Sequence, residues 1–257
     1  MSLALLLTTG LVFARLAGAI MVLPGFAVQG VPKLVRLAIA VSLTVLIAPT
    51  APTVDATPTL PLLVTAMLGE VGLGVMLGGA VGLVFGGLVF ATEIVGMQTG
   101  RAVALQFNPM LKMSQEPVGI LAGMMALLVF MGLNLHLAVL FILAESFQTV
   151  HPGQVVALLD VASLWVELAS PTLQSGLKLA GPILAMVFLV NCFVAVLARL
   201  APSMNVFFSV GFILTSLAGL GMTILLLPFI MEEHIAMVSW VLDLLPEMID
   251  VAGGGNG

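Results

Sequence analysis

The chain has 257 residues with a formal net charge of −5, and only 7% of them are charged against 61% hydrophobic. Soluble domains carry roughly 25% charged residues, so this sequence lacks the charges to cover a water-soluble globule of its size. It is predicted to be an integral membrane protein, or a subunit buried in other apolar subunits. Seven Lys and Arg leave no basic patch for nucleic acid. The single Cys192 allows no internal disulfide and no Cys-based zinc cluster. Apolar residues start at Leu3 with no basic stretch before them, which predicts no cleaved leader.

Charges punctuate long apolar runs at 16–32, 37–54, 71–92, 117–144, 179–198 and 200–231. A spanning helix needs about 20 apolar residues, whereas a barrel strand needs only about 9–11 with alternation. The fold class expected is therefore all-α and membrane-type. About six long apolar helices are predicted, near 3–23, 34–50, 61–91, 117–147, 177–200 and 205–231. If each spans once, Lys33, Arg36, Arg101, Lys112 and Arg199 share one side and Lys178 lies opposite. That bias makes the shared side cytoplasmic and places both termini outside. Two further segments read as separate amphipathic helices. One lies between Pro152 and Pro171 and carries Asp160 and Glu167. The other, 232–250, carries Glu232, Glu233, Asp243, Glu247 and Asp250. Residues 252–257 form a Gly-rich tail expected to be flexible.

Within the third run, Gly74, Gly78, Gly82 and Gly86 recur every four residues in register with Glu70. Such a stripe lies on one helix face and lets a second helix approach closely, inside the chain or from a neighbouring subunit. Ionisable groups in apolar runs are costly unless paired or wet. Arg15, Glu70, Glu93, Arg101, Glu145 and Arg199 are accordingly candidates for buried charge pairing. Glu93 and Arg101 are too far apart to pair within one helix.

The most unusual stretch is 106–117, from Gln106 through Asn108-Pro109 to Glu116-Pro117. The two X-Pro steps mark a break between helices, yet Phe107, Met110, Leu111 and Met113 are apolar. Irregular backbone at membrane depth is tolerated when buried in protein or lining a cavity. Flexible Met side chains suit a constriction that seals and yields. No H-E-x-x-H, full G-x-S-x-G or G-x-x-x-x-G-K-[ST] motif is present. No catalytic residue, metal or cofactor is expected, and His136 reads as a neutral hydrogen-bonded residue. Two rival readings remain from the residues alone. A stand-alone proton-coupled transporter would use Glu70, Glu93 or Glu145; an intramembrane enzyme would pair His136, Glu145 and His151.

An ordered set of residues then runs through most of the chain. It begins with Arg15, Pro24-Gly25-Phe26, Pro32, Arg36 and Pro49, followed by Glu70 and the glycines, and then Asn108-Pro109. Gly132 with His136, Ser146-Phe147 and Pro152-Gly153 come next. Pro182, Asn191, Arg199, Pro202, Asn205, Phe207 and Gly211-Phe212 complete it. Taken together, in this order, the set resembles the FliR family of flagellar export-gate proteins and its virulence type III secretion counterpart, SctT, although the family more often has Asp-Pro where Asn108-Pro109 stands. The resemblance covers about residues 10–230.

It implies a single domain over 1–251, with a FliP-like part at about 1–175 and a FliQ-like part at about 176–251. It also implies bent helical hairpins rather than six straight spans, with Pro182 and Pro228 interrupting the last two runs. One copy would join FliP and FliQ in a channel for unfolded flagellar proteins, with FlhB and FlhA as further partners and lipid around it. The location implied is the bacterial inner membrane at the flagellar basal body. Finally, the resemblance implies a luminal plug at 106–116, with Phe107, Asn108, Pro109, Met110, Leu111 and Met113 as its residues.

Overall fold

The computed structural model describes residues 3–27, 31–54, 58–99, 117–154, 156, 158–200 and 210–254. Every regular element among them is helical: α1 (Leu3–Val22), α2 (Lys33–Ile47), α3 (Leu60–Gln98), α4 (Pro117–Gly132), α5 (Leu135–Thr149), α6 (Leu158–Leu200) and α7 (Phe212–Ala252). The all-α membrane-type expectation holds. Four helices (α1, α3, α6 and α7) are long and apolar enough to cross a bilayer, and α4 with α5 make a fifth if that bent pair counts as one span. Among the described residues six single spans are therefore not formed, and the alternation of sides that placed both termini outside loses its basis.

The differences have local causes. The 117–147 run breaks at Asn134, whose φ of 58° is left-handed, and the axes of α4 and α5 diverge by 64°. Asparagine tolerates this conformation better than most side-chain-bearing residues. The last two helices run longer than expected. α6 is 43 residues and passes through Pro171 and Pro182; α7 is 41 residues and passes through Pro228 and Pro246. Those prolines do not interrupt the runs. The two amphipathic segments are not separate helices either, because they extend α6 and α7. At 1.5 Å per residue each helix is about 60 Å long, twice a hydrocarbon core of about 30 Å. The ends carrying Asp160, Glu167, Asp243, Glu247 and Asp250 supply the polar length.

Contacts divide the chain into two units. Unit 1 comprises residues 1–84, 130–170 and 237–257; unit 2 comprises 85–129 and 171–236. In unit 1, α1 packs beside α2 and its buried residues include Leu11, Val12, Leu16, Ala19 and Ile20. Leu73, Leu77, Val139, Leu143, Phe147, Val161, Leu168, Val238 and Leu245 add the buried faces of α3, α5, α6 and α7. Unit 2 has its own core of Leu88, Ala91, Val95, Ala122, Ala126, Leu179, Ala180, Ile183, Ile230 and Met231.

Candidate functional site: a buried charge hub and two glycine faces

Helix α3 meets its neighbours in unit 1 on two faces, and glycine makes both possible. Toward α1, a Cβ on Gly74 would fall on the Arg15 carbonyl oxygen. A Cβ on Gly78 would lie 2.6 Å from the Ala19 carbonyl oxygen, and one on Gly18 would lie 2.5 Å from that of Val71. Residues 15, 19 and 22 match 74, 78 and 82 in rising order, so the two helices run in the same direction. Helix backbones in direct contact gain dispersion energy that larger side chains would prevent. Gly82 makes only ordinary contact with Val22, and Gly86 has open space around its Cβ position. The four-residue stripe is thus tight over its first half only.

The second face looks toward α6. A Cβ on Gly72 would lie 2.9 Å from Leu158, and one on Gly79 would lie 2.9 Å from the Trp165 ring. The indole Nε1 of Trp165 donates to the Met76 carbonyl at 3.2 Å, satisfying the polar tip of this aromatic side chain. Within unit 2 the same two helices touch through Gly87, Thr172 and Gly176: the Gly176 Cβ position is 2.7 Å from the Gly87 carbonyl oxygen. This face uses Gly72, Gly79 and Gly87, spaced by seven and eight, opposite Leu158, Trp165 and Thr172, spaced by seven. A search for four-residue steps misses it; a search for heptads shared by two runs would have found it.

Where α1 crosses α3, Arg15 and Glu70 meet with both side chains fully buried. Arg15 Nε donates to Glu70 Oε2 at 2.6 Å. Its Nη1 donates to the Ser146 carbonyl at 3.0 Å and to Ser146 Oγ at 2.9 Å, and its Nη2 donates to the Val150 carbonyl at 2.9 Å. The guanidinium carbon lies 4.2 Å from the centroid of the Phe147 ring, a cation–π contact. The second oxygen of Glu70 accepts the Gly153 backbone N–H at 2.9 Å. Gly153 sits at φ 84°, where glycine is unstrained. Burying two charges is tolerable only when their remaining donors and acceptors are also satisfied, and here nearly all are. Glu70 and Gly74 are one turn apart on α3. The glycine lets the Arg15 backbone come close enough for its side chain to reach the carboxylate.

The other ionisable candidates are placed differently. Glu93, Glu145 and Arg199 are exposed, and no ion pair joins any of them to another described candidate. Arg101 and the stretch 106–116, with Phe107, Asn108, Pro109, Met110, Leu111 and Met113, lie outside the described residues. His136 faces Phe130 at 6.4 Å between ring centroids, and its Nδ1 has no hydrogen-bond partner among the described residues. His151 and Glu145 are exposed, and no hydrogen bond joins either to His136. Among the described residues no three His, Cys, Asp or Glu side chains group to hold a metal ion. In unit 2, Ser175 Oγ donates to Glu233 Oε1 at 3.3 Å, and the buried His234 stands edge-on to Phe85 at 4.7 Å.

Among the described residues this geometry builds a tightly joined set of membrane-type helices. Comparison with known proteins agrees in kind. The family described as bacterial export proteins, family 1, matches residues 6–240. The flagellar biosynthetic protein FliR of Caulobacter vibrioides is 30% identical, over 94% of each chain. FliR of Pectobacterium carotovorum is 31% identical, over 92% of this chain and 90% of its own. Yop proteins translocation protein T of Yersinia pestis is 30% identical, over 54% of each. These relatives are named as biosynthetic and translocation proteins, not as enzymes. The chain belongs to the bacterial export proteins, family 1.

Proposed function

We propose that this chain is a non-enzymatic subunit of the flagellar type III protein export gate, seated in the bacterial inner membrane at the flagellar basal body. The observation that carries the reading is coverage. The two flagellar biosynthetic proteins compared above align over nine-tenths or more of both chains, whereas the virulence translocation protein aligns over about half. The amount of exposed apolar surface is in keeping with a subunit rather than a free-standing globule. Unfolded flagellar proteins would be the cargo. With no nucleotide-binding motif in the sequence, the driving energy comes from other components.

One copy joins FliP and FliQ in this reading, with about 1–175 as the FliP-like part and about 176–251 as the FliQ-like part; FlhB and FlhA are further neighbours. Gly74 and Gly78 serve packing inside the chain, while Gly86, Glu93, Glu145 and Arg199 face outward and are available to neighbouring subunits. Phe107, Met110, Leu111 and Met113, with Asn108-Pro109 between them, form a luminal plug that closes the resting channel against ions and water. The test begins with native mass spectrometry after co-expression with the neighbouring small membrane proteins. One copy of this chain with several copies of two partners is the expected composition; a stable monomer indifferent to them overturns the reading. Shortening 106–116 should then raise ion leak through assembled gates, and unchanged leak removes the plug.

A further inference from the structure

We infer that Arg15 and Glu70 form a latch that makes the seating of α5 conditional on the α1–α3 pair. The inference concerns how unit 1 closes and stands whether or not the export reading holds. Its basis is the direction of the bonds. Only one of the four Arg15 hydrogen bonds goes to Glu70; the other three go to Ser146 and Val150, at the end of α5. Glu70 in turn spends one oxygen on Arg15 and the other on Gly153, in the turn after α5. Each member of the pair therefore holds the other with part of its bonding capacity and holds the α5 terminus with the rest.

The consequence is coupling. Without Glu70, Arg15 is left as an uncompensated buried cation, and the α5 carbonyls alone must hold it. Without Arg15, the Glu70 anion is unpaired and the Ser146 and Val150 carbonyls lose their donors in a buried setting. The α5 terminus is therefore held only while both members of the pair are in place, whereas α1 and α3 also hold each other through the Gly74 and Gly78 crossing. The lock extends further along the chain. Gln154, beside the latched turn, donates to the Gly253 carbonyl at 3.3 Å, and the Cβ position of Gly253 is 3.5 Å from Val150. The end of α7 is thereby attached to the same junction.

The latch differs from a plain ion pair in a way that substitution reveals. Exchanging the two charges, Arg15→Glu with Glu70→Arg, preserves a pair but puts a carboxylate where three hydrogen-bond donors are needed. Arg15→Lys keeps the charge opposite Glu70 but replaces the planar fork with a compact ammonium that does not reach all the acceptors. The experiment uses the full chain in membrane vesicles, with Cys192→Ser to remove the native thiol. One reporter cysteine is introduced at a time, Leu77→Cys on α3 or Val139→Cys on α5, both sites being fully buried. Labelling by a membrane-permeant maleimide reads the opening of each helix.

Arg15→Lys is expected to speed labelling at 139 at least tenfold while changing it less than threefold at 77. The charge exchange is expected to leave position 139 as open as Arg15→Lys does. Restored protection at 139 in the exchanged protein overturns the latch and reduces the hub to a simple ion pair. Equal acceleration at both positions in Arg15→Lys also overturns it, since α5 would then have no separate dependence on the fork. Should the exchanged protein fail to accumulate, Arg15→Lys alone decides between these outcomes.

Discussion

The two units reach burial by different means. Unit 1 closes around a charged hub and a glycine-bared crossing, with Arg15, Glu70 and Ser146 all fully buried. Unit 2 closes around aliphatic side chains, with hydroxyls such as Thr215 and Thr223 returning their hydrogen bonds to their own helices. The helices also differ in how much they leave uncovered. In the most apolar windows of α1 and α3, 50% and 56% of residues are buried, against 17% in α6 and 22% in α7. Polar hubs are directional and specify one arrangement, while aliphatic packing is tolerant and leaves faces open for lipid or protein. The contrast lies in how each core is held, since both units leave large apolar side chains exposed, Leu34, Leu46 and Leu159 in unit 1 and Leu200, Leu217 and Leu225 in unit 2.

The sharpest way to break this contrast is to remove one charge from the hub. Glu70→Leu leaves Arg15 buried without its anion, a change that typically costs about 3–5 kcal/mol. We expect the variant to melt far below the parent in detergent, or not to accumulate. Ile183→Ala in the unit 2 core removes buried methylenes and is expected to cost about 2–3 kcal/mol, at the lower end of such truncations because neighbouring aliphatic chains can relax. If thermal melts rank Ile183→Ala as the more damaging, the hub is not what distinguishes unit 1. Gly74→Ala comes next. Its methyl would displace the Arg15 backbone, so α1 and α3 must separate, for about 1–3 kcal/mol. Gly86→Ala, with open space at the same stripe position three turns on, should be neutral or stabilise the isolated chain by up to about 1 kcal/mol. Equal effects at 74 and 86 would mean that the stripe packs uniformly.

How much of this was legible follows from what each signal depends on. The class was legible because charge scarcity is a property of composition. Arg15 and Glu70 stood out because an ionised group in an apolar run is expensive wherever it sits. Their partnership did not, since 55 residues separate them and the hydrogen-bonding groups of Ser146, Val150 and Gly153 come from much later in the chain. The number of helices was misread for a different reason. Charges and prolines mark boundaries in the sequence, but a proline in a long packed helix removes one hydrogen bond without ending it, and α6 passes through two. The real break, at Asn134, has neither signal. The glycines of the α6 face were visible as letters; only their match to Leu158, Trp165 and Thr172 on another helix gave them meaning.

The smallest effect on the isolated chain should carry the largest effect on assembly. Leu189 and Phe193, one turn apart on the same face of α6, are exposed at 64% and 58%. Replacing both with Ser removes apolar surface that the chain itself does not bury, so the melting point in detergent should move by no more than surface substitutions ordinarily allow, about 0.5 kcal/mol each. In co-expression, however, a face that contacts a partner subunit contributes through just such large apolar side chains. We expect the double variant to be recovered in normal amounts but with a reduced share of partner-bound complex in native mass spectra. Unchanged assembly would assign this face to lipid, where serine is tolerated near the interface, and the search for the subunit contact would move to the exposed face of α7 around Ile213, Leu217 and Ile224. In either case the effect separates from fold stability, because unit 2 leaves these side chains outside its own core.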